Sequence, residues 1–222
     1  PKTMQEAPAY DDVVHEVEQE MMRMVTRLTT EGVEPGRICL DAGIGFGKNV
    51  IHNLALVQAT AHFAELGFPL MAAVSRKSFI GAMSAESIPA MRDRASALCA
   101  AFMVDQGARI VRVHDVATTR EMLRDSHRVV IGLGSNMGNS CEHIDDALAS
   151  MRLDPDIWVG AVSEYVTSAP AYLEAQAPFV NAVAVIQTTL EPSELLRVLQ
   201  GLESEHGRIR GIENGPRPLD LD

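Results

Sequence analysis

The 222-residue sequence lacks any long apolar run, and this bears first on membranes. Its longest apolar runs, such as residues 129–133, are far shorter than the roughly 20 residues that a transmembrane helix needs. No basic segment followed by an apolar one opens the chain, so we do not expect secretion. The chain begins at Pro1 rather than Met, which predicts that its natural start lies upstream. We expect a cytoplasmic protein without a membrane partner.

Cysteine and positive charge are also scarce. Cys39, Cys99 and Cys141 are scattered without the spacing of a metal site, and we expect reduced, mostly buried thiols. The net charge is −11, and no basic face is visible, so nucleic acid is not an expected partner. Phosphorylated small molecules stay compatible with this charge, because a local cluster of arginines is enough to bind them. The length allows one large domain or two smaller ones.

Helical and extended patterns alternate in the first part of the chain. Apolar residues at helical spacing predict four helices, over residues 10–30, 49–66, 92–106 and 118–124. Continuous apolar runs predict three buried strands, over residues 37–41, 70–75 and 110–114. This alternation is typical of a parallel sheet covered by helices, in which functional groups gather at the carboxyl ends of the strands. Three strands cannot close a barrel of eight, so a barrel requires more chain upstream.

The pattern changes near residue 126. The expected elements are a strand, a helix, two strands and a helix, over residues 129–133, 142–151, 158–167, 180–188 and 192–206. Pro192 would occupy the first turn of the last helix. This order predicts a ferredoxin-like α+β domain. We therefore expect two domains, 1–125 and 126–222.

The first predicted strand ends in a glycine-rich segment, Asp-Ala-Gly-Ile-Gly-Phe-Gly-Lys, at residues 41–48. A phosphate-binding P-loop is excluded, since Ala42 and Asn49 stand where that motif has Gly and Ser or Thr. A plain glycine-rich turn is the simpler interpretation of the segment alone. Against it, Asp41 at the strand end could accept two hydrogen bonds from an amidine-like ring edge.

Two further strands end in cations and hydroxyls. Residues 75–78 read Ser-Arg-Lys-Ser, which taken alone fits a solvated surface pair equally well. Arg112 and His114 lie two apart on a strand, hence on the same side of the sheet. Such a pair suits an oxyanion or a diphosphate, although a structural histidine would be the commoner explanation without Arg112.

These strand ends, in this order, closely resemble those of dihydropteroate synthase, over about residues 1–125. The resemblance implies an α/β fold, the last part (about strands six to eight) of a (β/α)8 TIM barrel, and it is compatible with a homodimer through that barrel. It implies that Lys77 is catalytic. It also implies substrate-binding roles: pterin at Asp41 and Lys77, the leaving diphosphate at Arg112 and His114, and p-aminobenzoate at Phe46, Lys77 and Ser78.

The chain closes on two carboxylates, Asp220 and Asp222, on one side of an extended segment, which suits Mg²⁺ bridging phosphates. A surface acidic pair is the simpler alternative when nothing else is nearby. Here Arg208, Arg210 and Arg217 precede the pair closely. Cations beside metal-binding carboxylates are the groups that phosphoryl transfer requires.

This half resembles the N-terminal two-thirds of hydroxymethyldihydropterin pyrophosphokinase. The matching segments are Gly-Leu-Gly-Ser-Asn at 132–136, Phe-Val-Asn-Ala at 179–182, Gly-Arg-Ile-Arg at 207–210 and Gly-Pro-Arg-Pro-Leu-Asp-Leu-Asp at 215–222. The resemblance implies ATP as co-substrate and catalytic roles for Arg208 and Arg217. It further implies Mg²⁺ at Asp220 and Asp222, nucleotide at Glu203, Arg208, Arg210 and Arg217, and pterin at Ser168, Phe179 and Asn181.

The two resemblances point to one pathway, because these enzymes catalyse successive steps of folate synthesis. We expect a bifunctional transferase that acts on pterin, p-aminobenzoate and ATP. A different interpretation stays open, in which the chain is a non-catalytic, pterin-binding or structural piece with neither site complete. The piece alone is expected to be inactive.

Overall fold

The computed structural model describes residues 8–209, 211 and 215–222. The chain divides into two compact units, Pro1–Asp125 and Ser126–Asp222, called unit 1 and unit 2 below. Both units mix helices with strands, so the chain is of mixed α/β type. Among the described residues no helix is both long and apolar enough to cross a bilayer.

Unit 1 is mainly helical. Its first helix begins after Asp12, whose carboxylate accepts the N–H groups of Val14 and His15 at 3.0 Å, and it ends just before Gly32, with φ +91°. The elements are α1 (Val13–Thr30), α2 (Val50–Gln58), α3 (Thr60–Ala64), β1 (Met71–Ala72), α4 (Ser78–Met83), α5 (Asp93–Asp105), β2 (Ile110–Val111) and α6 (Val116–Asp125). β1 and β2 pair in parallel, with Met71 opposite Ile110. No closed barrel forms within the described ranges.

The strand expected over residues 37–41 is wrong. Pro35–Arg37 forms a 3₁₀ turn, which suits a Pro-Gly pair, and Leu40 pairs with Leu70 in an isolated parallel bridge. Cys39 and Cys141 are exposed, so the expectation of mostly buried thiols is also wrong.

The helix expected over residues 49–66 divides into α2 and α3 at Ala59. There the hydroxyl of Thr60 donates to the carbonyl of Val57 at 2.6 Å and competes with the regular helical ladder. α5 is buried from residue 96 to residue 103, Cys99 included, so its sequence needs no polar face. It packs against α6 and β1.

Unit 2 is an antiparallel sheet with two helices. Its elements are β3 (His127–Ser135), α7 (Ser140–Leu153), β4 (Ile157–Val162), β5 (Val166–Ser168), β6 (Phe179–Thr188), α8 (Pro192–Glu205) and β7 (Asp220–Leu221). The strand order is β4-β6-β3-β7, and β5 also pairs with β6. The single strand expected over residues 158–167 is wrong, because β4 and β5 are separate strands. Pro192 does open α8.

The core of unit 2 lies between one face of the sheet and the apolar faces of α7 and α8. Alternate positions of β3 and β6 point inward, as expected for a sheet covered on that face. The large side chains of this core are Ile131, Leu133, Ile144, Leu148, Met151, Ile157, Ile186, Leu195, Leu199, Leu202, Leu219 and Leu221. This packing fixes the ends of β3, β6 and β7, where the polar residues lie.

Candidate functional site

Asp41 follows an extended segment of unit 1. The carbonyl of Leu40, just before it, accepts the N–H of Met71 at 2.8 Å. One oxygen of Asp41 accepts the N–H of Gly43 at 2.9 Å, and the other accepts a guanidinium N–H of Arg112 at 3.2 Å. The fold therefore brings together two predicted site residues that are 71 positions apart in the chain.

The glycine-rich loop is held from behind by two buried side chains. The ammonium of Lys48 donates to the carbonyls of Gly43 and Phe46, at 3.2 and 3.1 Å. The side-chain oxygen of Asn53 accepts the N–H of Gly45 at 2.6 Å. Burial lowers the pKa of Lys48. These contacts fix the backbone of the loop. The sequence patterns did not predict this supporting role for Lys48 or Asn53.

Lys77 and Phe46 form a stacked pair beside this loop. The Lys77 ammonium lies 3.8 Å from the centroid of the Phe46 ring, close enough for a cation–π contact. Glycine is required at position 45, because φ is +81° and an added Cβ would lie 2.7 Å from the Lys77 side chain. Burial, and then the charge of Arg112, lower the pKa of Lys77, while the charge of Asp41 opposes them.

The Ser-Arg-Lys-Ser segment sends its side chains in different directions. Arg76 forms a two-pronged pair with Asp93, both contacts at 2.7 Å, so it supports the start of α5. The buried Ser75 hydroxyl lies 2.9 Å from Nδ1 of His114 and accepts the His114 N–H at 3.1 Å. Ser78 is exposed at the first position of α4. Ser75 thus orients His114, a role that sequence reasoning missed.

In unit 2, Asp220 of β7 contacts two arginines. It forms ion pairs with Arg208 and, at 2.7 Å, with Arg217. Arg208 is also paired with Glu203, whose carboxylate accepts the backbone N–H of Leu221 at 2.9 Å. Glu203 is buried and so anchors both Arg208 and β7 to α8.

Glu203→Ala is expected to lower the free energy of unfolding of unit 2 by about 3 kcal/mol. The change removes one of the two carboxylates that pair with Arg208 and leaves the Leu221 N–H without its acceptor. Urea denaturation followed by the fluorescence of Trp158, the single tryptophan of the sequence, measures this. Glu205→Ala, at an exposed position of α8, serves as control and should stay within about 0.5 kcal/mol of the parent protein. Equal effects from both variants would contradict the anchoring role.

Gly134 lies next to Asp220 and Asn181 and, having no side chain, leaves the space between them free. A Cβ at this position would lie 3.4 Å from the Asn181 side-chain oxygen and 3.7 Å from the Asp220 Cβ. Asp222 follows two residues after Asp220, and its backbone pairs with Gly132 at 2.7 and 3.0 Å. Within residues 8–209, 211 and 215–222, no set of three or more His, Cys, Asp or Glu side chains converges as a metal cluster.

A cavity of about 190 Å³ lies beside the Asp220 cluster. It is bordered by four predicted site residues, Ser168, Phe179, Asn181 and Arg217. The Asn181 amide donates to the Ser168 hydroxyl at 2.9 Å, and the Arg217 guanidinium lies 4.9 Å from the centroid of the Phe179 ring. Four residues that were not predicted complete the lining: Ala169, Ala171, Tyr172 and Gln176.

A second cavity, of about 180 Å³, lies at the end of α8. It is bordered by Gln200, Glu203, Ser204 and Arg208, so two residues that were predicted to lie near a nucleotide share one cavity. The predicted Arg210 lies outside the described residues.

Two segments of the chain match known protein families. A family model described as "Pterin binding enzyme" matches residues 1–114. The chain belongs to this family. A second model, described as "7,8-dihydro-6-hydroxymethylpterin-pyrophosphokinase (HPPK)", matches residues 130–222, so a pterin-binding domain is followed by a pyrophosphokinase domain.

Curated relatives and solved structures resemble the pterin-binding half. Dihydropteroate synthase of Escherichia coli is 44% identical over 124 residues, covering 56% of this chain and 44% of the relative. The folic acid synthesis protein fol1 of Pneumocystis carinii is 39% identical over 127 residues, covering 55% of this chain and 17% of the relative. The crystal structure of dihydropteroate synthase from Thermus thermophilus in complex with 6HMPPP is 40% identical, with a TM-score of 0.53, covering 56% of this chain and 49% of that one. The chain spans about half the length or less of the curated relatives that it matches.

Proposed function

We propose that the full-length protein catalyses two successive steps of folate synthesis. In unit 2, the hydroxyl of 6-hydroxymethyl-7,8-dihydropterin attacks the β-phosphorus of ATP, the bond to the α-phosphate oxygen breaks, and AMP and a proton leave. In unit 1, the amine of p-aminobenzoate attacks the methylene carbon of the product, the bond from that carbon to the diphosphate oxygen breaks, diphosphate and a proton leave, and 7,8-dihydropteroate forms. The observation that carries the proposal is the Arg208–Asp220–Arg217 cluster beside the Ser168 and Asn181 cavity.

We propose an architecture to match. Unit 1 supplies about strands six to eight of a (β/α)8 barrel, over residues 1–125, and its parallel pairing of β1 with β2 supports this. Unit 2, over residues 126–222, is a partial ferredoxin-like domain, and its strand order β4-β6-β3-β7 supports that assignment. A cytoplasmic location and a homodimer through the barrel stay predictions.

The cavity in unit 2 suits a flat, polar ring. Asn181 and Ser168 offer amide and hydroxyl groups to the ring edge, and Phe179 offers an apolar face. Arg217 joins this cavity to Asp220, and its Nε is a buried donor with no hydrogen-bond partner among the described residues. We assign Arg208 and Arg217 to the charge of the transferring diphosphoryl group, with ATP bordered by Glu203 and, by resemblance, Arg210.

The donor set around Asp220 and Asp222 fits Mg²⁺. This ion uses one or two carboxylates together with substrate phosphates and waters, and two carboxylates on one side of a strand supply that number. When bound, Mg²⁺ would neutralise phosphate charge. Asp220 and Asp222 would hold the ion, and Arg208 and Arg217, which form ion pairs with Asp220, lie beside it.

In unit 1 the same reasoning assigns Asp41 and Lys77 to the pterin, and Arg112 and His114 to the leaving diphosphate. The Asp41–Arg112 contact at 3.2 Å brings the two binding functions to one place. Phe46, Lys77 and the exposed Ser78 border the p-aminobenzoate position. The Phe46 ring and the Lys77 ammonium would provide an aromatic face and a positive charge for the flat, acidic p-aminobenzoate.

Incubation of the full-length protein with ATP and 6-hydroxymethyl-7,8-dihydropterin tests the kinase half. AMP should form only when the pterin is present. Supplying the pterin diphosphate and p-aminobenzoate tests the synthase half separately, through release of diphosphate. Absence of AMP from folded, full-length protein would overturn the kinase assignment.

A non-catalytic, pterin-binding piece is the second candidate, favoured by the Ser168 and Asn181 cavity, which could bind a pterin without turnover. Titration of the 222-residue chain with the hydroxymethyl pterin, followed by fluorescence, separates the two. Saturable binding without turnover in both the chain and the full-length protein would support this candidate.

A further inference from the structure

Asn136, the residue after β3, forms hydrogen bonds to two loops through its backbone N–H and its side-chain amide. Its backbone N–H donates to the carbonyl of Arg217 at 3.1 Å, and its side-chain oxygen accepts the Arg217 N–H at 2.8 Å. Its amide nitrogen donates to the side-chain oxygen of Gln176 and to the carbonyl of Ala177, both at 3.0 Å. The side chain is buried, with 6% exposure, so water does not compete for these bonds.

The orientation of this amide is determined by its partners. The Arg217 N–H can only donate, and the Ala177 carbonyl can only accept, so a flipped amide would mismatch both. Asn136 therefore supplies one acceptor toward one loop and two donors toward the other. Aspartate has the same size but lacks the two donors.

The two loops carry different parts of the site. Gln176 borders the cavity of Ser168 and Asn181. Arg217 contacts the Phe179 ring at 4.9 Å and Asp220 at 2.7 Å. Asn136 is the link between the segment that encloses the ring and the segment that carries the cation for the phosphates.

We propose that Asn136 is a positioning residue that sets the spacing between Gln176 and Arg217, which border the pterin cavity from two different loops. The inference rests on the proposed kinase function of unit 2. A binding site held by buried hydrogen bonds loses both affinity and rate when its parts shift by a fraction of an ångström.

The test compares full-length wild type with N136A, N136D and Q176A at saturating ATP. N136A should lower kcat/KM for the hydroxymethyl pterin by about 10- to 100-fold, since several buried hydrogen bonds are lost. N136D keeps the acceptor for Arg217, so it should raise the pterin KM while it retains more of kcat than N136A. Q176A loses one contact and should raise the KM by less than about 10-fold. Affinity for an ATP analogue should fall less than the pterin kcat/KM in all three, because Arg217 belongs to this network whereas the cavity at Gln200 and Ser204 lies outside it.

N139A is the matched control. Asn139 caps α7 three residues further along, and its side chain bonds only to Glu142 among the described contacts. Its removal should lower Tm by a few degrees and leave kcat/KM unchanged. Loss of stability alone therefore cannot mimic the expected result.

Three outcomes overturn the proposal: N136A within about twofold of wild type, an equal loss of ATP affinity, or an N139A effect as large as that of N136A. If N136A does not fold, N136D and Q176A decide, and unchanged pterin KM in both overturns it. If wild type forms no AMP, it is the proposed function that fails. The affinity for the pterin, measured without nucleotide, then still tests Asn136. An affinity equal to that of wild type in both N136D and Q176A would count against the positioning role.

Discussion

Asp220→Asn is expected to slow AMP formation by the full-length protein by at least about 100-fold. Asparagine keeps the size of the side chain but removes the charge that pairs with Arg208 and Arg217 and that suits Mg²⁺. Initial rates with saturating pterin over a range of Mg²⁺ concentrations measure the effect. The variant should need more Mg²⁺ for half-maximal rate.

Asp146→Asn is the matched control, since this carboxylate is exposed on α7. Its rate and Mg²⁺ dependence should equal those of the parent protein. Dihydropteroate formation from the pre-formed pterin diphosphate should be unaffected in both variants. If the Asp220→Asn protein keeps more than about a tenth of the parental rate, the assignment of Asp220 to the metal site is wrong.

Arg112→Gln is expected to lower kcat/KM for dihydropteroate formation by about 100-fold. The charge-assisted bond to Asp41 is lost, together with a cation assigned to the leaving diphosphate, and such bonds are worth about 1.5–3 kcal/mol each. The charge of Arg112 also lowers the pKa of Lys77. Removal of that charge should therefore raise the pKa of Lys77 in the variant.

Arg109→Gln provides the comparison for this substitution. Arg109 is exposed three residues earlier, before β2, and its backbone bonds to Leu70. The same charge is removed close by, so any general electrostatic effect appears in both variants. Equal losses in the two would argue against a specific diphosphate site at Arg112.

The sequence patterns predicted the polar strand ends because each one follows directly on an apolar run. Asp41, Lys77 and Arg112 were identified in this way, and the fold brings Asp41 into contact with Arg112. The expected strand before Asp41 was nevertheless wrong, since Arg37 belongs to a 3₁₀ turn and Leu40 forms only an isolated bridge. A single backbone pairing of Leu40 with its neighbours is enough to place the carboxylate.

The supporting residues could not be found by periodicity, because their roles depend on contacts distant in sequence. Asn136 and Arg217 are 81 positions apart, and Ser75 and His114 are 39 apart. Arg76 shows the opposite case, in which a residue within a predicted site motif has a structural role. It stands inside a site motif, yet pairs with Asp93 on α5. Asn136 was visible in the sequence as the last residue of the Gly-Leu-Gly-Ser-Asn segment at 132–136, but its contacts with Arg217 and Gln176 were not.

The measurement that tests the account most directly is a combined reaction of the full-length protein with ATP, 6-hydroxymethyl-7,8-dihydropterin and p-aminobenzoate. The account predicts that AMP and 7,8-dihydropteroate accumulate together, that omission of p-aminobenzoate stops only dihydropteroate, and that omission of the pterin stops both. Folded protein that forms neither product, or that forms dihydropteroate from the three substrates without AMP, would contradict it.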